Sequence, residues 1–452
     1  MAASPVRTGI YKNYENNHEG ESKGMNEVNN WIYLVYPILL VVLFLGSRVS
    51  KEDEWNEEAL SLKQMKYWQG FVALMIMFHH ISQKWSASWI DKKYFVPGLE
   101  FFVPIGFVLT SFFIFSSGYG LYKSVHTKKD YLKNRFIVRR ILPIIAMGYG
   151  VHIVFLLVRI IVLHEDMGNN KLLYYLSGFK MANPNGWFVI IMPLFYLVFY
   201  LAFRFVKRDD VVPGFYNEKV ALIIVILCTL AYQIFCASLD HNEFGRMLLG
   251  EAMNQDDGWV RGEWWYNSIE LFPIGILFAM KEEKIVPHLK KHYLFYVILV
   301  LLLIYPVYNI SQWQFGHTYY CDSNPFWDNG MTRMDRTKER FICLCCEALL
   351  AILAVFGAVL VNLKIRIGNR FLDLMGKITL EFYLLHGLFV ELFCYKFAGQ
   401  VEFIYIKDNV LHCEIAFALG LPLAILAHKI AHLGKKKEKV NTSKSSEKAA
   451  KQ

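Results

Sequence analysis

The chain has 452 residues, of which 55% are hydrophobic, 16% aromatic and 19% charged, with a formal net charge of +9 and a mean hydropathy of +0.29. A soluble chain usually carries about 25% charge. Here the charge is gathered in short blocks between long apolar runs, which excludes an ordinary soluble domain and points to a polytopic membrane protein. The positive balance lies beside those runs and in the tail Gly434–Gln452. It therefore marks the cytoplasmic face of a lipid bilayer, and no nucleic-acid partner is expected.

Residues 1–30 are polar and rich in Asn and Glu, and read as disordered, with no cleavable signal. Apolar segments follow at 31–47, 65–81, 100–121, 141–163, 187–205, 220–238, 266–280, 293–310, 341–363, 374–397 and 413–433. In lipid only helices and closed barrels satisfy their own backbone. The expected fold class is therefore all-α, a polytopic transmembrane helix bundle of about eleven spans. One membrane-embedded domain is expected over 31–433, with a Lys-rich disordered cytoplasmic tail over 434–452. Cys343, Cys345 and Cys346 lie in an apolar run and read as small buried residues, so no metal site is expected. Cys321 stands in a polar loop without an obvious mate.

The loop after the third segment carries Lys123, Lys128, Lys129, Lys133, Arg135, Arg139 and Arg140, which places it in the cytoplasm. Counting spans from there puts the basic blocks near Arg204, Lys281 and Lys364, and the tail, on the same side. The N-terminus is then outside and the C-terminus cytoplasmic, in a multi-pass protein of the inner (plasma) membrane.

The second segment, Met65–Lys84, is nearly all apolar between Tyr67 and a pair of histidines, His79 and His80. Ionisable groups inside such a segment are costly and mark a functional site by default. A helix turns 100° and rises about 1.5 Å per residue, so Gln69 and His80 share a face about 16 Å apart along the axis. Lys66 lies on that face as well, whereas His79 points about 100° away. The alternative for both histidines is that they snorkel to water at a helix end.

Trp68–His80, WQGFVALMIMFHH, resembles the first signature of the acyltransferase-3 family of integral membrane acyltransferases: a basic residue eleven positions before a His within an apolar helix. FFIFSSGYGLYKS (Phe112–Ser124), NRFIVRRILPI (Asn134–Ile144), EWWYNSIELFPIGILFA (Glu263–Ala279) and GKITLEFYLLHG (Gly376–Gly387) resemble further elements of that family, in its order. The resemblance implies a core of about ten spans, to which 31–47 is an addition. It makes His80 the family's His and puts Gln69 at the basic position, with Lys66 able to supply the charge. It puts Arg140 three before Pro143 at the family's position, with Ile137 where a partner Arg is usual and Arg135 and Arg139 nearby. It also implies an acyl-CoA co-substrate, often acetyl-CoA, with no permanently bound cofactor.

A hydroxyl attacking a thioester needs a base and a group to hold the oxyanion. Imidazole titrates near pH 6.5, which suits His80, with His79 beside it; an acyl-imidazole route is the alternative. The CoA phosphates are expected to meet Arg135, Arg139 and Arg140, with Lys66 and Gln69 also on the donor side, unless that loop only sets topology. A carbohydrate acceptor is expected from the outer side, at Trp265, Tyr266 and Asn267, unless these form an interface belt. Ser117, Gly118 and Tyr119 read either as helix packing or, by the resemblance, as lining the site. Glu270 and Glu381 are candidates to orient an imidazole, His80 or His386, and His386 itself reads either as a packed, hydrogen-bonded residue or as a second base on the substrate side. The function expected is acyl transfer from cytoplasmic acyl-CoA to a hydroxyl of an envelope or exported carbohydrate. A polysaccharide or lipid-linked sugar transporter is the competing reading, which would favour two related halves; none is evident in the sequence.

Overall fold

Apolar stretches close into helices here because backbone N–H groups find carbonyls four residues back, and they do so even around the internal prolines Pro193, Pro306 and Pro422. The computed structural model describes residues 29–168, 170–207, 214–239, 243–249, 258–260, 262–318 and 332–449. The expected disorder of the N-terminal segment and the unpaired Cys321 therefore lie outside the described residues, apart from Asn29 and Asn30.

After a 3-10 turn at Asn30–Leu34 come α1 (Val35–Phe44), the two-residue strand β1 (Arg48–Val49) and the histidine helix α2 (Leu62–Trp85). Another 3-10 turn, Glu100–Ile105, leads into α3 (Gly106–Thr127), and a π-helical turn, Ile137–Ile141, leads into α4 (Leu142–Ile161). Then follow α5 (Lys171–Leu176), α6 (Phe188–Arg204), α7 (Glu218–Ser238), α8 (Glu243–Leu249), α9 (Leu271–Lys291), α10 (Tyr293–Thr318) and α11 (Arg333–Lys364). Strand β2 (Ile365–Arg366) pairs antiparallel with β1, and α12 (Arg370–Lys377) and α13 (Thr379–Leu392) follow. A small hairpin, β3 (Lys396–Phe397) and β4 (Gln400–Val401), precedes α14 (Asn409–Ala449), whose bounds take in the Lys-rich stretch after Gly434.

The described residues are mostly helical, and among them six helical stretches are long and apolar enough to cross a membrane: Glu100–Thr127, Ile137–Ile161, Glu218–Ser238, Tyr293–Thr318, Arg333–Lys364 and Asn409–Leu433. Asn30–Phe44 and Phe188–Arg204 are apolar but shorter. The segment expected as one helix at 374–397 is two, α12 and α13, joined at Ile378. Side-chain oxygens satisfy the open N–H groups at several starts: Ser61 caps α2, Asn217 caps α7 and Asn369 caps α12, while Thr332 and Asp335 form a reciprocal capping box on α11.

Lipid is as apolar as leucine, so helices associate there by close packing rather than by escaping water. The tightest example joins α3 to α9. A Cβ on Gly118 would meet the Phe272 carbonyl oxygen at 2.1 Å, and one on Gly275 would meet that of Phe115 at 2.2 Å. The two helices thus approach backbone to backbone at reciprocal glycines. One core lies between α2, α12, α13 and the start of α14, and a second between α3, α6, α7, α9 and α11. Around them, α10 turns Leu294, Leu301, Leu302 and Tyr305 outward, as a lipid-facing helix would.

Candidate active site

The histidine helix is held at both ends before its imidazoles come into play. At its start, Gln64 donates to the Ile367 carbonyl at 2.8 Å and the Trp68 indole donates to Asn362 Oδ1 at 2.7 Å. At its end, the Trp85 indole donates to His412 Nδ1 at 2.7 Å, and Lys84 Nζ pairs with Glu391 at 2.8 Å. Neither Lys84–Glu391 nor His412 is legible as a site from the sequence. The only signal is spacing, since Lys84 lies one helical turn beyond His80.

His80 is buried, and its Nδ1 lies 2.9 Å from Nε2 of His386, which is wholly buried on α13. The rings are nearly parallel, with centroids 5.1 Å apart. Nδ1 of His386 is 2.7 Å from the Phe382 carbonyl oxygen. A carbonyl only accepts, so Nδ1 of His386 carries the hydrogen and, in the neutral ring, Nε2 is an acceptor. Nδ1 of His80 must then be the donor, and its Nε2 keeps the lone pair. Among the described residues no group bonds that nitrogen. A backbone-anchored relay thus fixes the tautomer of His80.

His79 is oriented separately. Its Nδ1 lies 2.8 Å from the Phe102 carbonyl, and a Cβ on Gly106 would stand 2.3 Å from its Nε2. Only glycine leaves room for the ring there. One residue on, the Phe107 carbonyl accepts from Ser268 Oγ at 2.7 Å. Ser268 therefore abuts the first turn of α3, beside the Gly106 over which the His79 ring sits.

The remaining expected residues fall into other places. Gln69 donates to Ser116 Oγ at 2.6 Å and lines, with Trp68 and Phe112, a cavity of about 30 Å³ between α2, α3 and α11. Lys66 is exposed, with its backbone against Gly376. Neither reaches the imidazoles, since about 16 Å of helix separates Gln69 from His80. Gly118 is the close contact with α9, and Tyr119 donates to Glu282 at 2.9 Å. Ser117 hydrogen bonds Tyr196. These three pack helices, and none of them hydrogen bonds His80.

Glu270 accepts from Gln233 at 2.7 Å and Glu381 lies 2.8 Å from His428 Nδ1. Neither orients His80 or His386, so the expected carboxylate partner is replaced by the histidine relay. Glu381, His428 and His432 hold ligand-type atoms within 4.8 Å of one another, a spacing that a divalent ion could occupy. Trp265, Tyr266 and Asn267 are buried rather than laid out on an open face. Trp265 Nε1, Asn267 Oδ1 and Glu270 Oε1 have no hydrogen-bond partner among the described residues. Cys343 is buried as expected, but Cys345 is exposed and Cys346 half-buried.

Arg139 and Arg140 lie on the π-helical turn before α4, and Arg135 precedes it; all three are exposed. Arg140 stacks over the Tyr131 ring at 5.4 Å. Among the described residues none of the three has an ion-pair partner, so their guanidinium forks are open to an anion.

The family model described as "Acyltransferase domain" (Acyl_transf_3) matches residues 62–429. No curated protein and no solved structure matches the chain. The match starts at the first residue of the histidine helix and ends one residue after His428. It takes in His80, His386 and the basic stretch before α4, and it covers far more than half of the chain. The chain therefore belongs to the acyltransferase-3 family, a family of integral membrane acyltransferases.

Proposed function

We propose that the protein transfers an acyl group, acetyl in the first instance, from cytoplasmic acyl-CoA to a hydroxyl of an envelope or exported carbohydrate, with His80 as general base. The carrying observation is the fixed tautomer of His80: Nδ1–H donates into His386, whose own Nδ1–H is tied to the Phe382 carbonyl, and Nε2 is left with its lone pair. In this reading the acceptor hydroxyl gives its proton to Nε2 as its oxygen attacks the thioester carbon. The tetrahedral intermediate collapses, the C–S bond breaks, and the CoA sulfur leaves as thiolate and takes the proton back from the imidazolium. The products are the ester and CoA-SH. While His80 is charged, its Nδ1–H bond to His386 becomes charge-assisted and strengthens.

The arrangement across the membrane follows the same reading. The bundle is the domain 31–433, inserted with about eleven spans, the N-terminus outside and the C-terminus cytoplasmic in the inner membrane. The open guanidinium groups of Arg135, Arg139 and Arg140 meet the CoA phosphates on the cytoplasmic side. The acceptor enters toward Trp265, Tyr266 and Asn267, where the unpartnered buried polar atoms suit hydroxyl groups.

Mass spectrometry of envelope and exported glycans, with and without the protein, tests this. The expected result is loss of an acyl mass increment, 42 Da per site for acetyl, with the glycan otherwise intact. Glycans unaltered in mass but absent from the exterior would instead favour a transporter.

A further inference from the structure

At the start of the histidine helix, a cavity of about 220 Å³ is lined by Gly46, Arg48, Lys63, Tyr67, Arg366 and Gly368. None of these residues serves the chemistry assigned to His80. The cavity exceeds the roughly 30 Å³ that one water occupies in the liquid several times over.

Its charge is arranged at a cost. The β1–β2 ladder sets Arg48 directly opposite Arg366, and like charges facing across strands destabilise a ladder. Lys63 adds a third cation in the first turn of α2, where the helix dipole is itself positive and disfavours one. Glu58 pairs with Arg366 at 2.7 Å. Arg48 and Lys63 have no ion-pair partner among the described residues. Positive charge therefore converges on this cavity in excess of the acid supplied to it.

The backbone keeps the space open and rigid. Gly368 has φ +150°, and a Cβ there would stand 2.4 Å from the Tyr67 ring; Gly46, with φ +76°, faces the Gly368 carbonyl. Lys364 Nζ ties down the adjoining loop through the carbonyls of Lys51, Glu52 and Glu54 at 3.1, 2.6 and 2.9 Å. The exposed apolar side chains of Leu45, Val49 and Leu62 flank the basic rim, as they would at headgroup depth.

We propose that the Arg48–Lys63–Arg366 pocket is a binding site for a phosphate group, carried either by an anionic phospholipid or by the nucleotide half of the acyl donor. Arginine forks and bare backbone recognise phosphate oxygens in this way. The nucleotide source rests on the acyl-CoA reading above, with the ribose 3′-phosphate seated here and the pyrophosphate left to Arg135, Arg139 and Arg140; the lipid source does not.

The test uses the full-length protein in detergent. Adenosine 3′,5′-bisphosphate binding is followed by calorimetry, and retention of phosphatidylglycerol against phosphatidylcholine by native mass spectrometry. The variant Arg48→Ala/Lys63→Ala removes two exposed cations without orphaning an acid. Binding of one probe is expected to weaken at least about tenfold, and to recover to within about threefold in Arg48→Lys/Lys63→Arg. Loss for the bisphosphate identifies the nucleotide source, and loss for phosphatidylglycerol the headgroup. If neither probe binds, or binding is unchanged in the alanine variant, the proposal is overturned. Both readouts are taken without turnover, so failure of the transfer chemistry and failure of this pocket are separable.

Discussion

Nδ1 of His80 and Nε2 of His386 stand 2.9 Å apart, and the far nitrogen of His386 is 2.7 Å from the Phe382 carbonyl. The relay runs from backbone to buried imidazole to buried imidazole, with no carboxylate in it. Its polarity is set by the one group that cannot donate, the carbonyl.

His386→Ala should therefore lower kcat by about 10² or more, with little change in the KM for acyl-CoA. His386→Gln keeps an acceptor oxygen for the His80 Nδ1–H and should recover part of the rate. Steady-state kinetics on the three proteins decides it. If His386→Ala turns over within about threefold of the parent, His386 is packing only.

Glu381 is tied to His428 at 2.8 Å and not to either relay histidine. Glu381→Gln should keep kcat within about threefold, since the amide still bonds His428. A loss of 10² would place a carboxylate back in the catalytic chain.

The reciprocal glycines of α3 and α9 make a stability prediction with an internal control. Gly118→Ala forces a methyl group to 2.1 Å from the Phe272 carbonyl, whereas nothing lies within 4 Å of a Cβ at Gly120. Gly118→Ala should destabilise the protein by about 1–3 kcal/mol. Gly120→Ala should leave the melting midpoint level or raise it slightly. Melting curves in a common detergent compare them, and equal midpoints would remove the close-contact explanation of the SSGY stretch.

Just past the α4 span, Glu165 is gripped by Arg159 of that helix's last turn with two contacts of 2.5 and 2.9 Å, and Arg159 also holds the Ala182 carbonyl at 3.3 Å. The next residue, Asn183, donates to the Leu384 carbonyl two positions before His386. Burial pushes the Glu165 carboxyl up, but hydrogen bonds from Arg159 and Lys171 outweigh it and hold it below the ordinary value. A depressed carboxyl stabilises the fold fully above its unfolded pKa, and that contribution fades as pH falls through the folded one. Glu165→Gln should cost about 3 kcal/mol near neutrality, because it leaves the buried Arg159 guanidinium without its counter-charge. The gap from the parent should narrow below about pH 4. Unfolding followed from pH 7 down to pH 3 would show this, and a gap that widens on acidification would reverse the sign.

How much of this was legible beforehand depends on what each feature is made of. Helical segments write themselves in long apolar runs, and helices lie at or near each expected span from Val35–Phe44 to Asn409–Ala449. His80 was legible because an ionisable group in such a run is rare. Its partner was not assignable, because His386 lies 306 positions away and only packing brings α13 onto α2. For the same reason Glu270 and Glu381 looked available as partners. Both are already bonded, to Gln233 and His428. Gly118 was ambiguous because a glycine that lines a site and one that admits a neighbouring helix read alike until the neighbour, here Phe272, is in place. The Arg48–Arg366 pair was invisible, since a two-residue ladder leaves no periodic pattern.

The most direct measurement is transfer by purified His80→Ala, read both as CoA thiol release and as acylation of the acceptor, beside His79→Ala and the parent at matched folding. The expected result is loss of both signals by about 10² or more for His80→Ala, with a smaller effect for His79→Ala, whose ring rests on the Phe102 carbonyl outside the relay. Full transfer by a folded His80→Ala protein would contradict the assignment of His80 as the base.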